Sequence, residues 1–487
     1  MSSAVQLPGL PSAVDQGVAV AQMIRRASSK GFEAWWSRAE SVGFCANPIH
    51  LAGADGYGRE HRVLTRCNNR RAAVCPSCSD LYARDTWQLV HAGIAGGHHG
   101  VPASVASRPQ VFVTLTAPSY GAVHSSRGRG CRDHRQVGGY ARCPHGKPLW
   151  CSTTHNNDDE RVGQPLCVNC YDYAGHVLFT WHLPELWRRF TITLRRGLRA
   201  ELRARGINPD AVRISFVKVV ELQARAIPHI HAVIRLDPAT DDSAGNQEWV
   251  APVSVTDLAA AIQRASRTVS LTVDHGDGSV AVGFGTQIDA QPVTSQHMEA
   301  NHTAVQGDSL SSGPLRGRRV AGYLAKYVTK SLADFGISAR RISAEAIAEL
   351  AVPDHVRAIL TAIARMSTGH LSGMAKWLHT LGYRGHITSK SRRYSTTMTA
   401  LRAHRAAWTR EMHANSGAPQ HDPNPTVPDT DGLVSWVFDG AGHTTLGDRT
   451  LVCSAALQRI HTRRIGLVEA RRQARDELWD PPWGRDD

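Results

Sequence analysis

Pro228-His229-Ile230-His231-Ala232-Val233 sets two imidazoles two residues apart in an apolar, β-branched run. In a strand, alternate side chains share a face, so His229 and His231 project together while Ile230 points the other way. Just upstream stands Glu221-Leu-Gln-Ala-Arg-Ala-Ile. If Gln223 and Ile227 flank a three-residue hairpin loop, Ala224 to Ala226, Glu221 lies directly across from His229 on that same face. A loop one residue longer or shorter turns Glu221 away. In the three-residue register the segment is a β-hairpin with all three side chains on one face. It also gathers two imidazoles and a carboxylate, a donor set for a divalent metal with positions left for water or a phosphate oxygen.

About 90 residues further on comes Tyr323-Leu-Ala-Lys326-Tyr327-Val-Thr-Lys330. On a helix, Tyr323 and Tyr327 share a face, and Lys326 and Lys330 repeat the spacing. With 25 histidines in the chain, one His-x-His is nearly expected by chance. Tyrosines four apart more often pack than react. The two together, metal donors and a helix of hydroxyls and ammonium groups, point to nucleophilic attack on a phosphodiester.

These residues resemble the His-hydrophobic-His (HUH) endonucleases that start rolling-circle replication. Within that group the chain is most similar to the RepSA-type replication initiators of actinomycete plasmids and integrative elements. The resemblance extends to Cys75-Pro-Ser-Cys78, to Cys167-Val-Asn-Cys170-Tyr-Asp-Tyr173, and to the stretch from Gly382 through His386 to Tyr394, and it runs from about Gly43 to the end. It implies origin-specific nicking and rejoining of one DNA strand, through a 5′-phosphotyrosine and a free 3′-hydroxyl primer. It implies Mg²⁺ or Mn²⁺ at His229, His231 and Glu221, with Lys326 and Lys330 supplying charge stabilisation. Tyr327 is expected to attack first, because related staphylococcal initiators carry a carboxylate at the earlier position, and Tyr323 to act second. The implied partners are DNA, as double-strand origin and single-stranded nick region, and a host helicase and DNA polymerase. A rolling-circle transposase, or a non-catalytic zinc-dependent DNA-binding regulator, is the alternative.

A chain of 487 residues has room for two or three domains with cores of their own. Its net charge of +14 favours a polyanionic partner. No 18-residue apolar run and no signal-like N-terminus stand in the sequence, so a membrane partner is not expected and a cytoplasmic location is. No phosphate-binding Gly-x4-Gly-Lys-Ser/Thr loop is evident, which assigns helicase work to another protein.

Nine of the ten cysteines fall between Cys45 and Cys170. Cys45, Cys67, Cys75 and Cys78 make a four-thiolate set suited to structural Zn²⁺. Cys131, Cys143, Cys151, Cys167 and Cys170, with His145 and His155, hold more donors than one zinc needs, and spacing alone leaves their pairing open.

The expected class is α+β, a ferredoxin-like, split βαβ palm with an antiparallel sheet, zinc modules and a helical C-terminal region. The pattern predicts helices at 14–40, 81–95, 183–206, 254–268, 318–332 and 342–368. Strands are expected at 111–117, 213–223, 227–236 and 280–289. Four segments follow: 1–105 with an N-terminal helix and a four-cysteine zinc module, and 106–335 as endonuclease domain with a zinc-binding insertion at 120–178. A helical, basic DNA-binding region at 336–414 and a linker and tail at 415–487 complete the chain. Within the third, Lys390, Arg392, Arg393 and Tyr394 are the candidate DNA contacts, basic groups around one stacking ring.

Overall fold

The computed structural model describes residues 7–10, 15–126, 131, 140–240, 249–276, 278–294, 315–330, 332–337, 341–415 and 435–477. The fold is α+β and divides into two units, Met1–Asp85 with Met398–Asp487, and Thr86–Thr397. The expected linker around 415–431 lies outside the described residues except for Asn415. No helix among the described residues is long and apolar enough to cross a membrane.

The chain begins with α1 (Gln16–Ala27), α2 (Phe32–Ser41), β1 (Ile49–Ala54), β2 (Glu60–Thr65) and α3 (Pro76–Ala95). Next come β3 (Gln110–Leu115), α4 (Tyr173–Ala204), β4 (Val212–Leu222), β5 (Pro228–Pro238) and α5 (Val255–Thr268). Then follow β6 (Ser270–His275), β7 (Gly278–Gly283), β8 (Ile288–Thr294), β9 (Leu315–Arg316) and α6 (Gly317–Val328). The last elements are α7 (Asp354–Met366), β10 (Thr388–Lys390), α8 (Met398–Asn415), β11 (Ser435–Ala441) and α9 (Leu446–Glu477).

Several boundaries differ from expectation for local reasons. The helix expected at 14–40 is two helices, because Ser28 turns its hydroxyl back onto the Ile24 carbonyl and Gly31 caps α2. Helix α4 starts ten residues before 183. Pro184 sits inside the helix, while Asp172 is the N-cap, accepting the Gly175 N–H at 2.8 Å. The strand expected at 280–289 is β7 and β8, separated where Gly285 lies against the Ala117 carbonyl, too close for a side chain. Strands β1, β2 and β6 go beyond what the pattern predicts.

The larger unit is built on a six-stranded sheet of order β10-β4-β5-β3-β8-β9. All neighbours pair antiparallel except β8 and β9. Odd residues of β3 and even residues of β5 (Val111, Val113, Leu115, Ile230, Ile234) join Leu178, Phe190 and Leu194 of α4 and Leu258 and Ile262 of α5 in the main core. That alternation leaves Phe112, Thr114, His229 and His231 on the opposite face. There Arg235 is fully buried, its guanidinium bonded to both Asp237 oxygens at 2.6 and 3.0 Å and to the Tyr394 carbonyl at 3.1 Å. A buried charge needs such complete pairing.

The other unit joins the two ends of the chain. Its sheet has the order β11-β1-β2, and Arg26 of α1 makes a two-pronged ion pair with Asp448 of α9 at 2.7 and 2.9 Å.

Candidate functional site

The hairpin forms in the one register that brings the donors together. Glu221 pairs with His229 and Leu222 with Pro228, and Gln223 N–H donates to the Ile227 carbonyl at 3.0 Å across Ala224–Ala226. Ala226 supplies the left-handed residue of this three-residue loop, with φ 60°. Both histidines are buried on the face opposite the main core, 6.4 Å apart between ring centroids.

Neighbouring side chains orient the donors. His231 Nε2 lies 2.9 Å from Glu221 Oε2, and its Nδ1 lies 3.1 Å from the hydroxyl of Thr114 on β3. Lys330 Nζ donates to Glu221 Oε1 at 2.7 Å. His229 Nε2 is buried and has no hydrogen-bond partner among the described residues. Burial, with His231 and Arg225 nearby, pushes the His229 pKa down to about 3, so the ring is neutral. Thr114 and Phe112 were missed at the sequence level. Phe112 lies parallel to the His231 ring at 6.0 Å. The signal for Thr114 was a hydroxyl, one of two in an otherwise apolar central strand, at the position that faces His231.

Helix α6 buries Val320, Ala321, Leu324, Ala325 and Val328, which leaves Tyr323 and Tyr327 at its half-buried margin. Their rings are 4.5 Å apart. Tyr327 stacks on His231 at 5.8 Å, and Tyr323 meets the same imidazole edge-on at 5.1 Å. Lys330 Nζ lies 4.4 Å and Lys326 Nζ 5.4 Å from the Tyr327 ring centroid. The helix ends at Val328, so Lys330 is not a further helical repeat but lies past the end, where it reaches Glu221. Seven residues from three separated segments thus meet: Glu221, His229, His231, Tyr323, Lys326, Tyr327 and Lys330.

Three Cys/His groups among the described residues have donor sets for a metal such as zinc, each with its ligand atoms within 4.8 Å of one another. The first is Cys45, Cys67, Cys75 and Cys78, as expected. Cys45 precedes β1, Cys67 follows β2, and Cys75 and Cys78 bracket the start of α3. Main-chain N–H groups of Ala46 and Cys67 point at the Cys75 and Cys45 sulfurs, both at 3.3 Å. The remaining donors sort into His124, Cys131, Cys151 and His155, and Cys143, His145, Cys167 and Cys170. His124 was missed, although the five cysteines and two histidines counted from the sequence fell one short of two four-donor sites.

The candidate DNA contacts divide. Arg392 and Arg393 line a groove of about 370 Å³ with Arg195 and Arg199 of α4 and Arg213 of β4, a concentration of positive charge suited to phosphates. Lys390 turns inward, its ammonium bonded to the Ser395 carbonyl at 2.9 Å, and burial lowers its pKa. Tyr394 is fully buried between Gly93 and the Arg235 guanidinium, which leaves no ring face for a base. The expectation of stacking on Tyr394 is thereby corrected: packing against distant residues, not the basic residues beside it in sequence, decides where the ring goes.

The model of the RepSA family, described as a replication initiator protein of pSAM2, matches residues 31–457. A replication initiator protein of Streptomyces ambofaciens is 34% identical over 495 residues, spanning 96% of this chain and 98% of that relative. No solved structure matches the chain.

Proposed function

Since this chain belongs to the RepSA family of replication initiator proteins, we propose that it starts plasmid replication by nicking one DNA strand at its origin and later rejoining it. The observation that carries this reading is the stacking of Tyr327 on His231 beneath the Lys330 ammonium, which also holds Glu221. The strand order β4-β5-β3-β8 with α4 and α5 on one face supports a ferredoxin-like, HUH-type palm within 106–335.

In the proposed reaction the Tyr327 oxygen forms a bond to the scissile phosphorus, and the bond from phosphorus to the 3′ oxygen breaks. The phenol proton is lost to solvent and the departing 3′ oxygen takes one up, giving a 5′-phosphotyrosine and a 3′-hydroxyl. A free phenol ionises near pH ~10, so it needs help at neutral pH. Lys330 and Lys326 place positive charge beside the Tyr327 ring, against the charge that develops as the phosphate is attacked, and Tyr323 serves the second cleavage from the same helix margin.

The donor set fits a divalent ion. His229 Nε2 lacks a partner among the described residues, and the 2.9 Å between His231 Nε2 and Glu221 Oε2 is close to the ~3 Å between neighbouring ligands on an ion with ~2.1 Å bonds. Mg²⁺ or Mn²⁺ held by Glu221, His229 and His231 would supply positive charge against the phosphate. Cys45, Cys67, Cys75 and Cys78 are proposed as a structural Zn²⁺ site. Arg392 and Arg393 contact origin DNA, and helicase and polymerase come from the host.

The test is incubation with Mn²⁺ and a supercoiled plasmid carrying the protein's own origin, followed by a denaturing gel and peptide mapping. A covalent adduct on Tyr327, lost in Tyr327→Phe, is the expected result. An adduct on Tyr323 reverses the roles, and nicking without any adduct sinks the mechanism.

A further inference from the structure

We infer that the described residues between 120 and 170 form a cross-braced module for two zinc ions, and that this module latches the hairpin loop that sets Glu221 against His229. The donor pairs alternate along the chain. His124 and Cys131 join Cys151 and His155, whereas the intervening Cys143 and His145 join Cys167 and Cys170. Neither site closes without passing through the other.

The spacings are those of donors around a common ion. His124 Nδ1 is 3.1 Å from His155 Nε2 and 3.6 Å from Cys131 Sγ, and Cys151 Sγ is 3.6 Å from His155 Nε2. In the second group His145 Nδ1 is 3.2 Å from Cys170 Sγ and 3.8 Å from Cys167 Sγ. Tetrahedral zinc with ~2.3 Å bonds to sulfur and ~2.0 Å bonds to nitrogen separates its ligands by roughly 3.3 to 3.8 Å. Asp159 takes the far nitrogen of His155, Nδ1, at 2.7 Å, which turns Nε2 toward the other donors.

Among the described residues of this segment, apolar packing is sparse. Among the described residues from 121 to 170, the buried side chains are Cys131, Cys143, Cys167, His155 and Pro165, so Pro165 is the one fully buried apolar side chain besides the thiols, and Val123, Leu149, Trp150, Val162 and Leu166 are only half-buried. A segment without an apolar core needs cross-links to stay folded.

The link to the hairpin is direct. Gly163 N–H donates to the His124 carbonyl and His124 N–H to the Gln164 carbonyl, both at 2.9 Å, so the two chain segments run as a ribbon ending in metal donors. Gly163, with φ 88°, rests on the hairpin loop. A Cβ there would overlap the Ala224 carbonyl and come within 2.6 Å of Arg225 N. From elsewhere His355 Nε2 reaches the Arg225 carbonyl at 3.1 Å. The loop is gripped at the point where one residue of slippage would turn Glu221 to the other face. Gly163 is thus a positioning residue. Its consequence for metal rests on the function proposed above; the zinc count does not.

The experiment uses the full chain, dialysed against a weak chelator and analysed for zinc. Three zinc ions per chain are expected, one for each Cys/His group, and a single zinc overturns the module. Gly163→Ala should keep all three. It should weaken Mn²⁺ binding, read by electron paramagnetic resonance, about tenfold. Amide exchange across 221–231 should quicken roughly tenfold while that of the β6–β7 hairpin stays unchanged. Unchanged exchange at 221–231 overturns the latch. If Gly163→Ala does not fold, Cys151→Ser provides the same readouts, and full protection of 221–231 in that variant is equally fatal. His231→Ala separates the two ideas: if it binds Mn²⁺ like the wild type, the palm metal site fails, while exchange still judges the latch.

Discussion

Tyr171 O–H and His176 Nδ1 lie 2.9 Å apart, and Tyr173 O–H and His355 Nδ1 3.2 Å, in a buried aromatic cluster beside the hairpin loop. Burial pushes the pKa of His176 down to about 3 and that of His355 to about 4, from an ordinary 6.5. As pH falls below about 6.5 the unfolded chain takes up protons that the folded chain refuses, so the stability these residues contribute is lost toward pH 3 to 4. Each should cost about 2 kcal/mol between pH 7 and pH 5. Urea unfolding at the two pH values should show that loss shrinking by about 2 kcal/mol in His355→Gln, whose amide can still donate to the Arg225 carbonyl. An unchanged loss would mean that His355 ionises in the folded protein. At this scale Glu221, His229 and His231 were legible because a period of two and a three-residue loop place them. Tyr394 was not: whether a ring is buried depends on which distant residues, here Gly93 and Arg235, come to meet it.

Elements depend on their ends. The hairpin from β4 to β5 holds its register through Ala226, an alanine with φ 60° that is fully buried. Ala226→Gly relieves roughly 1 kcal/mol of left-handed strain and removes a methyl worth about 0.8 kcal/mol, so it should be nearly neutral. Ala226→Val puts a β-branched side chain at the same φ in a filled space and should cost at least about 2 kcal/mol by denaturant unfolding. A valine as stable as the wild type would show that the loop has changed conformation. Helix α6 makes a similar point. Its tyrosine face followed from spacing, but its stop at Val328 did not, and that stop turns Lys330 from a helical repeat into the partner of Glu221.

At the scale of the molecule, the unit that carries the four-cysteine group is assembled from both chain ends. Strand β11 pairs with β1, and Cys453 of α9 is buried with Cys45, Cys75 and Cys78. Ending the chain after residue 434 should therefore expose this group. Zinc should leave the truncated protein faster under chelator, and proteolysis should begin within 16–78 while the β3–β8 sheet stays protected. Zinc release at the wild-type rate would show that the N-terminal segment folds by itself.

The sequence alone determined what short-range geometry can reach: the shared face of the two histidines, the tyrosine pair on one helix, the first cysteine group, and a hairpin whose three-residue register, once the structure chose it, brings Glu221 to that face. These rest on periods of 2 and 3.6 and on loops of a few residues, which neighbouring residues enforce. Tertiary structure decided the rest. It sorted eight donors into two interleaved groups, added His124 and Thr114, withdrew Tyr394 from the surface, and joined the chain's two ends. In each of these the choice lies between partners tens to hundreds of residues apart, and only packing in three dimensions, which excludes every pairing but one, can make it.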